Sequence, residues 1–198
     1  MILMPIKKVV DSNIFIYSLL KDHPAHADCT KFLIDNEGPN VLFSLVECFD
    51  EIYRILHTFY RIDPSTIVEK ITGLKNSTVE FWGFNTEKIT DALKLVSETK
   101  VDIVDAKLYF LAMDIQAPII ITDDARFQNF IKSRGLLFET PISEATRRKM
   151  QEWEKHNIPA AGLPRILSRV YRYLLKKGAN IANQFKADTK GFSALLDE

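Results

Sequence analysis

Carboxylate side chains stand next to apolar runs at several separate points of this sequence. Asp11 ends the run IKKVV, and Glu47 comes soon after VLFS, in the first turn of the helix that should follow. Asp105 opens a helical segment, and two further aspartates end the run PIIIT. A buried carboxylate is costly unless it is paired or bound to a cation. We therefore ask whether these side chains share one.

The aspartates that end PIIIT are Asp123 and Asp124. Carboxylates brought together repel one another, and several stay protonated unless a cation neutralises them. Clustered oxygen ligands suit the hard ions Mg²⁺ and Mn²⁺. One or two such ions can activate water and stabilise the charge on a phosphate during in-line hydrolysis. The residue types therefore predict metal-assisted hydrolysis of a phosphate ester.

The elements that must position these carboxylates alternate between strands and helices. We predict strands at IKKVV, NVLFS, TVEFWGF, APIIIT and LLFET. Such alternation predicts a three-layer α/β/α fold with a central, mainly parallel sheet. Ligands of such sheets bind beyond the carboxyl ends of the strands, so the carboxylates should meet at one edge. Helices are predicted at 13–20, 24–38, 45–60, 64–74, 86–99, 105–115 and 124–135.

The pattern changes after residue 141. Ser143 is placed as the N-cap of a helix that runs to about His156, and NIPAAGLP interrupts the helical pattern. A further helix is predicted over 164–177, with an irregular stretch after it. We therefore predict an α/β domain over 1–141 and a helical extension over 142–198.

The charge distribution separates these two parts. The whole chain has 26 basic and 26 acidic residues, whereas 142–198 has 11 basic and 6 acidic residues, a net charge of +5. Arg165, Arg169, Arg172 and Lys176 recur at a spacing that puts them on one helix face. This face is a predicted nucleic-acid-binding surface. The alternative is an amphipathic helix docked on the acidic domain, with its arginines in solvent or in ion pairs.

Other classes of protein are disfavoured by what the sequence lacks. The two cysteines form no C-x-x-C motif, so neither a disulfide framework nor a zinc knuckle is implied. No apolar run approaches the roughly 18 residues of a membrane span, and MILM is too short for a signal peptide. Nucleotide-binding and zincin motifs do not occur. We expect a cytoplasmic protein with no membrane association.

Four short motifs resemble those of the PIN-domain ribonucleases, the family that includes the VapC-type toxins. VVDSN resembles the family's D-[ST]-[NS] motif, and SLVE resembles its T-L-x-E pattern. DAKLYFLA resembles D-A-x-x-x-x-x-A, and IIITDDARF resembles a T-x-D that leads to a phenylalanine. The motifs occur in the family's order, and the resemblance covers roughly residues 6 to 140.

This resemblance implies roles for particular residues. It implies that Mg²⁺ or Mn²⁺ is held by four catalytic carboxylates, namely Asp11, Glu47, Asp105 and Asp124. It also implies that Ser12 or Asn13 orients Asp11 by hydrogen bonding, and that Thr122 positions the loop of Asp124.

Several assignments stay open at this stage. Glu51 lies one helical turn after Glu47, and EIYRIL also resembles the family's sequence, so Glu51 is the substitute ligand. Asp123 could share the role of Asp124. Asp102 is near enough to Asp105 to support it without binding the cation itself. Each aspartate at a helix start could instead be only an N-cap.

The function implied by the resemblance is metal-dependent endoribonuclease activity on RNA. A homodimer and an antitoxin or another protein partner are implied in the same way, although the extension is unlike the short toxins. Two alternatives are kept. One is a catalytically inactive PIN-like protein that binds RNA or acts as a scaffold, and the other is a structure-specific DNA nuclease.

Overall fold

A parallel five-stranded sheet organises the N-terminal part of the chain. The computed structural model describes residues 5–99, 101–157 and 165–189. The strand order is β3-β2-β1-β4-β5, and every neighbouring pair is parallel. The strands are β1 (Lys8–Val10), β2 (Leu42–Leu45), β3 (Glu80–Trp82), β4 (Ile119–Ile121) and β5 (Leu137–Glu139).

Helices connect these strands and continue beyond the sheet. Together they confirm the predicted α/β architecture with additional C-terminal helices. The helices are α1 (Ser12–Leu19), α2 (His26–Asp35), α3 (Cys48–Thr58), α4 (Pro64–Lys75), α5 (Ile89–Thr99), α6 (Ile103–Asp114), α7 (Ala125–Ser133), α8 (Glu144–Asn157), α9 (Arg165–Leu175) and α10 (Ala179–Thr189).

Apolar side chains cover both faces of the sheet. All three residues of β4 are buried, as expected for a parallel strand between two helical layers. On one face Phe81 of β3 packs against Phe15 of α1 and Phe49 of α3, with ring centroids 5.8 and 4.4 Å away. Gly135 ends α7 with a φ of +77°, a conformation that glycine adopts without strain.

Three local predictions differ from the structure. The helix predicted over 45–60 begins only at Cys48, because Leu45 is the last residue of β2 and pairs with β3. Helix α6 begins at Ile103, before the predicted start at Asp105, because the side chain of Asp102 caps it by accepting a hydrogen bond from the Val104 N–H at 2.9 Å. The stretch after 178 was predicted to be irregular, which is wrong, since α10 forms there. Its apolar residues Ala182 and Phe185 pack with Tyr171, so tertiary contacts stabilise a helix that the sequence only weakly indicates.

The chain divides into two compact units, 1–150 and 151–198. In the first unit, Ile142 and Met150 are buried with the residues of the main core. In the second unit, the hydroxyl of Tyr171 on α9 donates to Asn183 Oδ1 of α10 at 3.1 Å. The predicted domain boundary at 141 stays a prediction. No helix among the described residues is both long and apolar enough to cross a membrane.

Candidate active site

Asp11 lies at the carboxyl end of β1, where it is 5% exposed. It occupies the N-cap position of α1, yet its carboxylate makes no capping hydrogen bond. Instead, Oδ2 accepts hydrogen bonds from Thr122 Oγ1 and Asn13 Nδ2, both at 2.7 Å. Ser12 Oγ lies 3.3 Å from Oδ1. The carboxylate is therefore held between side chains of the first turn of α1 and the end of the neighbouring strand β4.

Thr122 connects the carboxyl ends of the neighbouring strands β1 and β4. Its fully buried hydroxyl donates to Asp11 and accepts from the backbone N–H of Asp124 at 3.1 Å. The backbone N–H of Asp11 donates to the carbonyl of Ile121 at 2.9 Å, which extends the β1–β4 pairing. One hydroxyl thus sets the position of Asp11 relative to the loop that carries Asp124.

The two adjacent aspartates of this loop have different surroundings. Asp124 Oδ1 accepts from the backbone N–H groups of Arg126 and Phe127 at 2.7 and 3.0 Å, and so caps α7. Asp123 Oδ1 accepts from Thr140 Oγ1 at 3.1 Å and pairs with Arg147 Nη2 at 2.6 Å. Asp123 is therefore already engaged by a cationic side chain.

The two candidate glutamates are also distinguished by their partners. Glu51 Oε2 accepts a 2.7 Å hydrogen bond from Ser12 Oγ, which places this carboxylate beside Asp11. Glu47 Oε1 instead pairs with Lys107 Nζ of α6 at 3.3 Å. The structure brings Glu51 to Asp11, although the other oxygen of Glu51, Oε1, also lies 3.5 Å from Arg54 Nη2. Glu47 pairs with a lysine of α6 instead. The sequence signal for Glu51 was its place one helical turn after Glu47.

Asp105 lies in the first turn of α6, one turn after the capping residue Asp102. The pKa of the Asp105 carboxyl is raised to about 8, mainly by burial and in addition by the carboxylates of Asp11, Asp124 and Asp102. Groups from three different elements therefore act on the proton of one side chain. The carboxylates of Asp11, Asp105 and Asp124 therefore lie close enough to interact at the carboxyl edge of the sheet.

Asp11 is subject to the same opposing influences. The pKa of its carboxyl is raised to about 6, mainly by burial. The Thr122 hydroxyl acts to lower this pKa, and the carboxylates of Glu51 and Asp124 act to raise it. Burial also raises the pKa of Asp123, while Arg147 lowers it. The raised pKa values of Asp11 and Asp105 show that little positive charge lies near these two carboxyl groups.

The donor set suits a hard cation, because all of its side-chain donors are carboxylate oxygens. In the part of the chain that the structure describes, no three histidine, cysteine, aspartate or glutamate side chains are grouped as a ready metal-binding set. Hydrogen bonds from Ser12 and from the start of α7 engage oxygens of Glu51 and Asp124. The oxygen donors and the interactions among the carboxylates suit a cation. On binding, coordination to the cation would replace some of the hydrogen bonds to Glu51 and Asp124.

Two charged residues near the site were missed by sequence reasoning. Lys107 pairs with Glu47, and Arg147 pairs with Asp123. Lys107 lies at an unspecified position of DAKLYFLA and Arg147 lies outside the motifs, so only the fold brings them to their partners. Of the predicted basic face, Arg172 is half-buried and Lys176 is exposed, whereas the side chains at 165 and 169 lie outside the described part.

The fold and this acidic edge agree with a comparison to known families. Residues 8–132, more than half of the chain, match the family model of the PIN domain, and the chain therefore belongs to the PIN domain family. The predicted resemblance is thus confirmed. This membership supports a nuclease class.

Two solved structures are similar to this chain. The VapC20 toxin of Mycobacterium tuberculosis, described as cleaving the Sarcin-Ricin loop, has a TM-score of 0.55 at 15% identity, with 66% of this chain and 97% of that chain covered. PAE2754 from Pyrobaculum aerophilum has a TM-score of 0.46 at 14% identity, with 77% and 98% covered. At these identities the first likeness shows a shared fold. No curated protein matches the chain in sequence.

Proposed function

We propose that this protein is a Mg²⁺- or Mn²⁺-dependent endoribonuclease whose cation is held by Asp11, Glu51, Asp105 and Asp124. The observation that carries the proposal is the convergence of carboxylates from separate elements: Asp11 and Asp124 both lie close enough to Asp105 to raise its pKa, and Ser12 holds Glu51 beside Asp11. A purely structural role does not account for this, because repulsion among partly buried carboxylates destabilises the fold.

The chain's own residues would bind and orient the reactants. Asp11 and Asp105 would release their protons as the cation binds, while Thr122 and Asn13 keep Asp11 Oδ2 in place. When bound, the cation would polarise a water molecule and the phosphate, so that a water oxygen bonds to phosphorus as one phosphorus–oxygen ester bond breaks. Glu51 and Asp124 would complete the set of oxygen donors.

We propose Asp123 and Glu47 as supporting residues, because Arg147 and Lys107 hold their carboxylates. Glu51 also pairs with Arg54, but its other oxygen is bonded to Ser12 beside Asp11. Arg147 neutralises Asp123, and Lys107 neutralises Glu47. Removing these two charges from the repulsion leaves fewer carboxylates for the cation to neutralise. Asp102 would act on Asp105 through its charge and by capping α6.

RNA is the proposed substrate, in line with the motif resemblance and with the reported activity of the similar VapC20 toxin. The family resemblance extends the proposal to a homodimer, to an antitoxin or another protein partner, and to a cytoplasmic location. The basic face of α9 is proposed as an additional contact to the RNA backbone.

A panel of substrates tests this proposal. The full-length protein is incubated with single-stranded RNA, structured RNA and DNA, in Mg²⁺, in Mn²⁺ or in EDTA. We expect RNA to be cleaved only when a divalent cation is present. Cleavage of DNA alone would indicate a DNA nuclease, and RNA binding without cleavage in either metal would indicate a scaffold or RNA-binding protein.

A further inference from the structure

Arg147 reaches the acidic site from outside the segment that matches the PIN family. That segment ends at residue 132, whereas Arg147 lies in the first half of α8. Its Nη2 is 2.6 Å from Asp123 Oδ1, and the two side chains are 30% and 10% exposed. An ion pair with so little solvent on the carboxylate side fixes both groups more firmly than a surface pair does.

Asp123 is connected to Asp11 through the side chain of Asn13. The backbone N–H of Asp123 lies 3.4 Å from Asn13 Oδ1, and Asn13 Nδ2 donates to Asp11 Oδ2 at 2.7 Å. Thr140 Oγ1 holds the same Asp123 oxygen that Arg147 binds. A continuous series of contacts therefore runs from Arg147 through Asp123 and Asn13 to Asp11.

The first half of α8 is itself fixed to the domain at a second point. Asp28 Oδ2 of α2 accepts from Thr146 Oγ1 at 2.7 Å and from the backbone N–H of Ser143 at 3.3 Å. Met150 is buried among the residues of the main core. Arg147 is thus presented to Asp123 by a helix start that α2 and the core hold in place.

We propose that Arg147 is a positioning residue for the acidic site. It keeps the carboxylate of Asp123 turned away from the cation position, and it fixes the 122–124 loop so that Asp124 and Asn13 stay in place. This role deepens the proposed nuclease function and rests on it. With this role, the first residues of the C-terminal extension would contribute to the structure of the active site.

Three variants test the role. Arg147→Ala removes the ion pair, Arg147→Lys retains the charge, and Arg148→Ala removes the same charge from the exposed neighbouring position. The side-chain amide of Asn13 and the backbone amides of Asp123 and Asp124 are followed by NMR. Mn²⁺ affinity is measured by calorimetry, and kcat and KM on single-stranded RNA are measured separately.

We expect Arg147→Ala to shift all three sets of NMR signals and to weaken Mn²⁺ binding about three- to tenfold. This is less than the roughly 10–100-fold loss typical when a direct partner of a ligand is removed, because Asp123 and Asn13 intervene. KM for RNA should stay unchanged while kcat falls at limiting Mn²⁺. Arg147→Lys should restore most of the loss, and Arg148→Ala should resemble the wild type.

The role is overturned if Arg147→Ala moves the Asn13 and Asp124 signals no more than Arg148→Ala does. Should Arg147→Ala fail to fold, Arg147→Gln is measured in its place with the same expectations. If the wild type neither binds Mn²⁺ nor cleaves RNA, the proposed function fails, and the NMR signals alone decide the positioning role. If the wild type cleaves and both alanine variants match it, only the positioning role fails.

Discussion

The hydroxyl of Thr122 and the carboxylate of Asp11 form a 2.7 Å hydrogen bond between the ends of β4 and β1. The same hydroxyl accepts the backbone N–H of Asp124 at 3.1 Å. Two candidate ligands from distant parts of the chain are therefore set by one buried group. In this chain, both the threonine and the aspartate of the T-x-D sequence therefore take part in the hydrogen bonds around Asp11.

Thr122→Val should weaken cation binding while keeping the shape of the side chain. The valine leaves the Asp124 N–H without its acceptor and removes a hydrogen bond to the Asp11 carboxylate. We expect the affinity for Mn²⁺ to fall about 10–100-fold, as when a hydrogen-bond partner of a metal ligand is lost. Calorimetric titration measures this, with the exposed Thr72→Val as control. Equal affinities for the two variants would contradict the role of Thr122.

Glu51→Gln and Glu47→Gln should have different effects on catalysis. Glu51 lies beside Asp11 through Ser12, so removing its charge should abolish most cleavage and weaken Mn²⁺ binding. Glu47 pairs with Lys107, so Glu47→Gln should retain measurable cleavage with nearly unchanged Mn²⁺ affinity. Rates across a series of Mn²⁺ concentrations distinguish the two. The assignment is reversed if Glu47→Gln is the inactive variant.

The stability of the metal-free protein should decrease as the pH rises from 3.8 to about 8. In the unfolded chain an aspartate titrates near 3.8, whereas folding raises the pKa of Asp11 to about 6 and that of Asp105 to about 8. The folded state thus binds more protons across this range. The stability that these protonated groups contribute is fully present below pH 3.8 and is lost as the pH rises through about 6 and then about 8.

Asp105→Asn should remove much of this loss, because asparagine stays uncharged. Each kcal/mol of unfolding free energy corresponds to about 2–4 °C in Tm for a chain of this size. In EDTA we expect the variant to melt several degrees above the wild type near pH 9 and close to it at pH 3.8. Scanning calorimetry at both pH values measures the difference, with the exposed Asp91→Asn as control. Parallel pH profiles for wild type and Asp105→Asn would contradict the raised pKa.

The basic face of α9 should contribute to RNA binding through charge alone. Replacing Arg172 and Lys176 together by glutamine removes two positive charges. If both contact phosphates, the slope of log K against log salt should decrease by about 1.4 for single-stranded RNA. Fluorescence anisotropy at several salt concentrations measures the slope, and Lys75→Gln in α4 is the control. An unchanged slope would favour the alternative of an amphipathic helix without an RNA contact.

The order of elements could be predicted from the sequence because the patterns were strong. The three isoleucines of β4 indicated a strand buried on both faces, and β4 is an interior strand of the parallel sheet, between β1 and β5. Helix α10 could not be predicted, since its apolar residues are few and Tyr171 of α9 supplies the surface that they cover. Where local patterns were weak, tertiary packing decided the structure.

The site could be predicted only in part. Parallel strands bring their carboxyl ends to one edge, so the grouping of Asp11 with Asp124 followed from topology. The choice between Glu47 and Glu51 depends on the direction in which α3 leaves the sheet, which spacing alone does not give. The motifs specify neither Arg147 nor Lys107, and the contacts of these residues arise from the packing of α8 and α6.

The central claim is tested most directly by comparing wild type, Asp11→Asn and the exposed control Asp91→Asn on one single-stranded RNA in Mn²⁺. Cleavage and binding are measured on the same samples. We predict cleavage by the wild type and Asp91→Asn, no cleavage by Asp11→Asn, and undiminished RNA binding by all three proteins. Equal cleavage by Asp11→Asn and wild type, or binding without cleavage by the wild type, would contradict the account of a catalytic acidic site.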